Sequence, residues 1–185
     1  MMSLKVDLHG VKNFTEEEEK KFLNAMKLLE ITLNSEEFKE EVLSYSYYKY
    51  VKVGWFKKKK VLVEGFKSNN GKTNQQIYDT IMSGKDKFNK EEDEDIDIFI
   101  TMFYKNNSSL GYTYKNTFKT WINRKFYSNF KESNIVGNVS HESTHNMGFG
   151  HDSRSNSTRK HTVPYAIGYI ARNIAARIAS DYGMQ

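Results

Sequence analysis

The chain of 185 residues contains no cysteine and a single proline. Without cysteine there is no disulfide framework and no thiolate ligand, so any bound metal must be held by nitrogen and oxygen donors. No stretch is long and apolar enough to cross a bilayer, and the start, MMSLKVDLHGVKNF, lacks the apolar core of a signal peptide. A soluble chain without a membrane partner is therefore expected, cytoplasmic by default and secreted only if a leader was removed. Charge of one sign is also scarce. The formal +5 rests on 28 basic against 23 acidic residues mixed along the chain, too weak a bias to expect nucleic acid as a partner. The one tight basic run, Lys57 to Lys60, reads as a solvated turn or strand end, and the acidic run Glu91 to Asp95 reads the same way.

What is present points to one folded domain. The length suits a single compact unit spanning 1–185, expected to be a monomer, and twelve Tyr and twelve Phe supply large rings for its core. Residues 4–11 alternate Leu4, Val6 and Leu8 with polar neighbours, as a half-buried strand does. Thr15 and Glu18 form a capping-box pattern before a helix carrying Phe22, Met26, Leu29 and Leu33, and a short helix with Phe38 and Val42 inward follows Ser35. Residues 47–66 suggest two strands joined near the lysine run, Asn69 to Gly71 a turn, residues 73–83 a short helix, and 96–104 a buried central strand. Residues 110–114 and 118–127 read as further strands separated by a Lys-Asn turn. Asn134 is placed to cap a helix over 135–147 that Gly148 ends, and Pro164 to open a helix with Ile167, Ile170, Ile174 and Ile178 on one stripe.

The segment HESTHNMGFGH, residues 141–151, concentrates three of the five histidines. On a helix, His141 and His145 lie one turn apart on the same face, so both imidazoles reach one ion about 2 Å from each nitrogen. If Gly148 reverses the chain, His151 completes three neutral nitrogen ligands and leaves one position open for water, which favours catalysis over scaffolding. Glu142 is then the candidate general base towards that water, and zinc, with no anionic ligand around it, keeps its Lewis acidity for a carbonyl oxygen. The five fixed positions arise by chance on the order of once in 10⁵ chains of this composition, so the cluster is not read as a random histidine-rich loop.

This segment resembles the metzincin zinc-binding motif at every fixed position. The resemblance implies an α+β fold, a zincin with a twisted mixed sheet, an N-terminal helix, an active-site helix and a C-terminal helix. It also implies one catalytic Zn²⁺ on His141, His145 and His151, and peptide or protein as substrate. The family's methionine beneath the metal has no counterpart, since no methionine lies between His151 and Met184; Val163 would take its place, with Tyr165 two residues later as a fifth ligand or a donor to the oxyanion. Tyr165 reads equally as a core aromatic at a helix start. Asp152 resembles the aspartate that buttresses the site in the adamalysin branch. Gly111, Tyr112 and Thr113 stand where the family's edge strand binds substrate backbone. His161 reads as a surface histidine, and His9 is too isolated to assign.

Zinc endopeptidase is thus the leading expectation. The same chemistry could act on cell-wall peptides or another amide, and the missing methionine leaves open a non-catalytic, zinc-stabilised binding module.

Overall fold

Isoleucine or methionine at every second position, Ile96, Ile98, Ile100 and Met102, gives the chain one strand with a fully buried face. In the computed structural model, which describes residues 3–53, 55–84, 94–113, 119–152 and 156–181, that strand is β4 (Asp95–Phe103), and it lies inside a four-stranded mixed sheet. The first strand, β1 (Lys5–Lys12), pairs with it in parallel on one side. The strand β6 (Lys119–Asn123) pairs in parallel on the other, and β5 (Gly111–Thr113) closes that side as an antiparallel edge.

Helices α1 (Glu16–Leu33), α5 (Glu132–Asn146) and α6 (Val163–Asp181) pack against one another. Their apolar faces join the buried side of the sheet in one cluster that includes Phe22, Leu29, Ile100, Ile122, Ile135, Val139, Ile167 and Ile174. The fold is therefore α+β. The capping box at the start of α1 is present, with the Glu18 carboxylate accepting from the Thr15 N–H at 2.8 Å and the Thr15 hydroxyl from the Glu18 N–H at 3.2 Å. Helices α2 (Glu36–Leu43) and α3 (Asn74–Met82) form as expected, capped by Ser35 and Thr73. Between them β2 (Ser46–Val53) and β3 (Lys57–Glu64) make a separate antiparallel hairpin. No helix among the described residues is long and apolar enough to cross a membrane.

Several expectations need correction. Of the two readings of Lys57 to Lys60, turn or strand end, the structure has the strand end: they form the exposed first half of β3. The stretch 118–127 is not all strand: after β6 the chain forms the short helix α4 (Arg124–Tyr127). Asn123 is the cause. Its buried side chain accepts from the Lys105 and Lys125 N–H groups and donates to the Lys105 and Ser109 carbonyls, which ends the ladder and caps the turn. Asn134 does not cap α5 from outside; the helix begins at Glu132, and Asn134, in its first turn, reaches back to accept from the Lys131 N–H at 3.0 Å. The expected Lys-Asn turn near 115, Tyr114, Phe118 and residues 91–93 of the acidic run lie outside the described residues.

Candidate metal centre

Helix α5 carries HESTH in its last two turns, so His141 and His145 project together and their Nε2 atoms stand 3.3 Å apart. Two nitrogens each about 2.0–2.1 Å from a tetrahedral zinc ion are separated by about 3.3–3.4 Å, so the pair already has the spacing of one edge of such a site. The helix then stops. Gly148 adopts φ +92°, the Gly148 N–H donates to the His145 carbonyl and the Phe149 N–H to the Thr144 carbonyl, each at 3.0 Å: a Schellman motif. Buried Phe149 anchors the reversed chain, and Asn70 donates to the Gly148 carbonyl at 3.1 Å. His151 is thereby brought back, its ring centroid 5.3 Å from that of His141 and 4.9 Å from that of His145. One ligand atom from each of the three rings lies within 4.8 Å of the others.

Each imidazole is also held from behind. His145 Nδ1 faces the Phe149 carbonyl at 2.8 Å, His151 Nδ1 faces the Asp152 carbonyl at 3.1 Å, and His141 bonds the backbone of Pro164. A carbonyl only accepts, so the nitrogen facing it carries the hydrogen, and in a neutral ring the opposite nitrogen presents its lone pair. Arg159 also approaches His151 Nδ1, at 3.4 Å, but the shorter contact to the carbonyl sets the tautomer. Burial lowers the pKa of His141 to about 3, and burial lowers that of His151 as well, so both rings favour the neutral form that binds a metal.

Glu142 is buried on the neighbouring side of α5. Burial pushes its carboxyl up to about 7, against hydrogen bonds from the Thr113 hydroxyl and backbone that favour the carboxylate. Thr113 belongs to the edge strand β5, so the base is positioned by the strand expected to receive substrate. The Leu110 carbonyl accepts from the Asn123 N–H of β6, and by the alternation of an antiparallel ladder Gly111 and Thr113 turn their backbone groups away from the sheet. A cavity of about 560 Å³ runs between β5, α5 and the start of α6, and it is lined by Gly111, Tyr112, Thr113, Glu142, Tyr165 and all three histidines.

Tyr165 is not a core aromatic. It lies half-buried at the cavity wall, its ring 4.5 Å from that of His141 and 4.9 Å from that of His151, and burial raises its pKa so that it stays a donor at neutral pH. Its proximity depends on two glycines: a Cβ on Gly137 of α5 or Gly168 of α6 would come within 2.8 Å of the other's carbonyl oxygen, so the helices cross with their backbones in contact. Val163 is fully buried at the head of α6, immediately before Pro164. The Asp152 side chain pairs with Lys67 Nζ at 2.8 Å and accepts from Asn156 at 3.0 Å, which ties down the residue directly after His151.

Arg159 is a wall residue that sequence reasoning missed. Its guanidinium lies 4.8 Å from the Tyr165 ring centre, and no spacing rule points to it because only a 3-10 turn at Arg159–His161 brings it there. His161 is neither part of the cluster nor a free surface residue. Its Nδ1 bonds the Tyr45 hydroxyl at 2.9 Å and its ring stacks on Tyr47 at 4.2 Å. His9 bonds Asp97 and lies 3.7 Å from Asp7 on the outer face of the sheet.

Comparison with known protein families, with curated proteins and with solved structures finds no match to this chain.

Proposed function

We propose that the chain is a zinc-dependent endopeptidase of metzincin type, with His141, His145 and His151 as ligands and Glu142 as general base. One observation carries the reading: a buried carboxyl with its pKa raised to about 7 stands beside three imidazoles that share one cavity and are each tied to the backbone from behind. Zinc bound by these rings supplies a Lewis acid for the scissile carbonyl and lowers the pKa of water. The remaining chemistry belongs to the chain. Glu142 accepts the proton of the attacking water and delivers it to the departing amine. The Tyr165 hydroxyl and the Arg159 guanidinium face the same space and stabilise the negative oxygen that develops there. An extended peptide pairs with the outward backbone left on β5, the Gly111 N–H and the Thr113 carbonyl, as an added strand.

Incubating the purified protein with unfolded protein, a broad peptide library and peptidoglycan, with and without a chelator, tests this. The expected result is chelator-sensitive cleavage of polypeptide. Glu142→Gln lowers turnover by about 10²–10⁴-fold while zinc stays bound. Equal cleavage by parent and variant contradicts the role of Glu142, cleavage of peptidoglycan alone moves the substrate class to cell-wall peptides, and bound zinc with no cleavage of any of them leaves a binding module.

A further inference from the structure

The β2–β3 hairpin has no part in the site or the core beyond its stem. At the stem Tyr47 is buried, stacked on His161, and Val63 lies opposite it in the ladder. From Tyr48 to Leu62 no described side chain is buried, and the tip carries Trp55 and Phe56 at 84% and 92% exposure. Tyr48, Tyr50, Val53 and Leu62 add further exposed apolar surface. Nothing in the fold calls for these residues to be apolar, since none supports a neighbour in the core.

The charge on the same hairpin is equally one-sided. Residues 46–64 hold six lysines, Lys49, Lys52 and Lys57 to Lys60, against Glu64 alone. That surplus equals the formal +5 of the whole chain, so the rest of the chain is balanced. The ladder sets Lys52 directly opposite Lys58, a like-charge pair that weakens an isolated hairpin and is relieved when an anionic surface neutralises it.

We propose that this hairpin docks the protein on an anionic lipid bilayer, with Trp55 and Phe56 entering the headgroup boundary and the lysines facing the lipid phosphates. Tryptophan and tyrosine favour that boundary, and lysine stems lie along apolar surface while their ammonium groups reach the charged layer. Binding of this kind needs no spanning segment. Nucleic acid fits less well: the hairpin contains no arginine for bidentate phosphate contacts, and its tip is a projection rather than a groove that tracks a strand. The stem meets the metal centre, because Phe66 stacks on Tyr45 at 4.2 Å and the next residue, Lys67, holds Asp152 beside His151. Docking thus holds the cavity in a fixed relation to the lipid surface.

The full chain is mixed with vesicles of phosphatidylglycerol and phosphatidylcholine in equal parts, or of phosphatidylcholine alone, and sedimented. The anionic vesicles carry the protein down, high salt releases it, and tryptophan emission shifts to the blue. The double variant Trp55→Ser, Phe56→Ser and a variant with Lys57 to Lys60 replaced by Gln each lower the partition coefficient on the order of tenfold or more. Because all six positions are exposed, both variants stay folded, read by far-UV circular dichroism matching the parent's. Failure to bind anionic vesicles at low salt, equal binding by both variants, or tighter binding to a single-stranded oligonucleotide in the same buffer overturns the proposal. It stands apart from the proteolytic reading: Glu142→Gln binds vesicles as the parent does.

Discussion

Among the described residues two clusters bring three potential metal ligands within 4.8 Å of one another, and they are built differently. Asp7, His9 and Asp97 meet on the open face of the sheet, where a carboxylate satisfies the imidazole directly and the Asp97 hydrogen bond raises its pKa. Those carboxylates favour a proton on the ring. At His141, His145 and His151 backbone carbonyls orient the rings from behind, and burial disfavours charge on His141 and His151. The contrast shows that residue type alone does not make a metal site. Support that fixes the tautomer, and an environment that keeps the rings neutral, separate the two.

The largest expected effect breaks the comparison at its ligands. His145→Ala should weaken zinc binding on the order of a thousandfold, while His9→Ala leaves affinity and stoichiometry unchanged, both read by competition with a zinc indicator. Equal losses in the two variants would erase the distinction.

The clusters should also answer pH in opposite senses. As the pH falls from 6.5 towards about 3, the unfolded chain takes up a proton at His141 that the folded chain refuses, so the contribution of His141 to the stability of the metal-free protein is lost through that window. At His9 the pKa is raised, so its contribution is complete below 6.5 and is lost as the pH climbs through the higher folded value. Glu142, raised to about 7, acts in the opposite sense between that value and 4.5, so urea unfolding of the metal-free Glu142→Gln variant from about pH 4 to about pH 9 should show the His141 acid-side loss, and adding His9→Ala should remove the alkaline-side decline.

The smallest effect sharpens the role of the chain reversal. A Cβ on Gly148 meets nothing within 4 Å, so Gly148→Ala costs only backbone strain at φ +92°. Denaturant titration should report a loss of about 1 kcal/mol, with zinc still bound.

Much of this was legible in the sequence because the signals are local. The Thr15 capping box, the alternation in β4, the one-turn spacing of His141 and His145 and the reversal at Gly148 all act within a few residues. What escaped depends on partners distant in the chain. Asn123 ends its strand through contacts with Lys105 and Ser109, and His161 is claimed by Tyr45 and Tyr47. Glu142 is steered by Thr113 of β5, and Arg159 reaches the wall through the 3-10 turn at Arg159–His161. No periodicity encodes such contacts; they appear when the elements pack.

Zinc X-ray absorption on the parent protein, dialysed against zinc at neutral pH, tests the central claim most directly. One zinc per chain with three imidazole nitrogens at about 2.0–2.1 Å is the predicted result. A protein that stays metal-free in excess zinc, or holds zinc through fewer than three imidazoles, contradicts it.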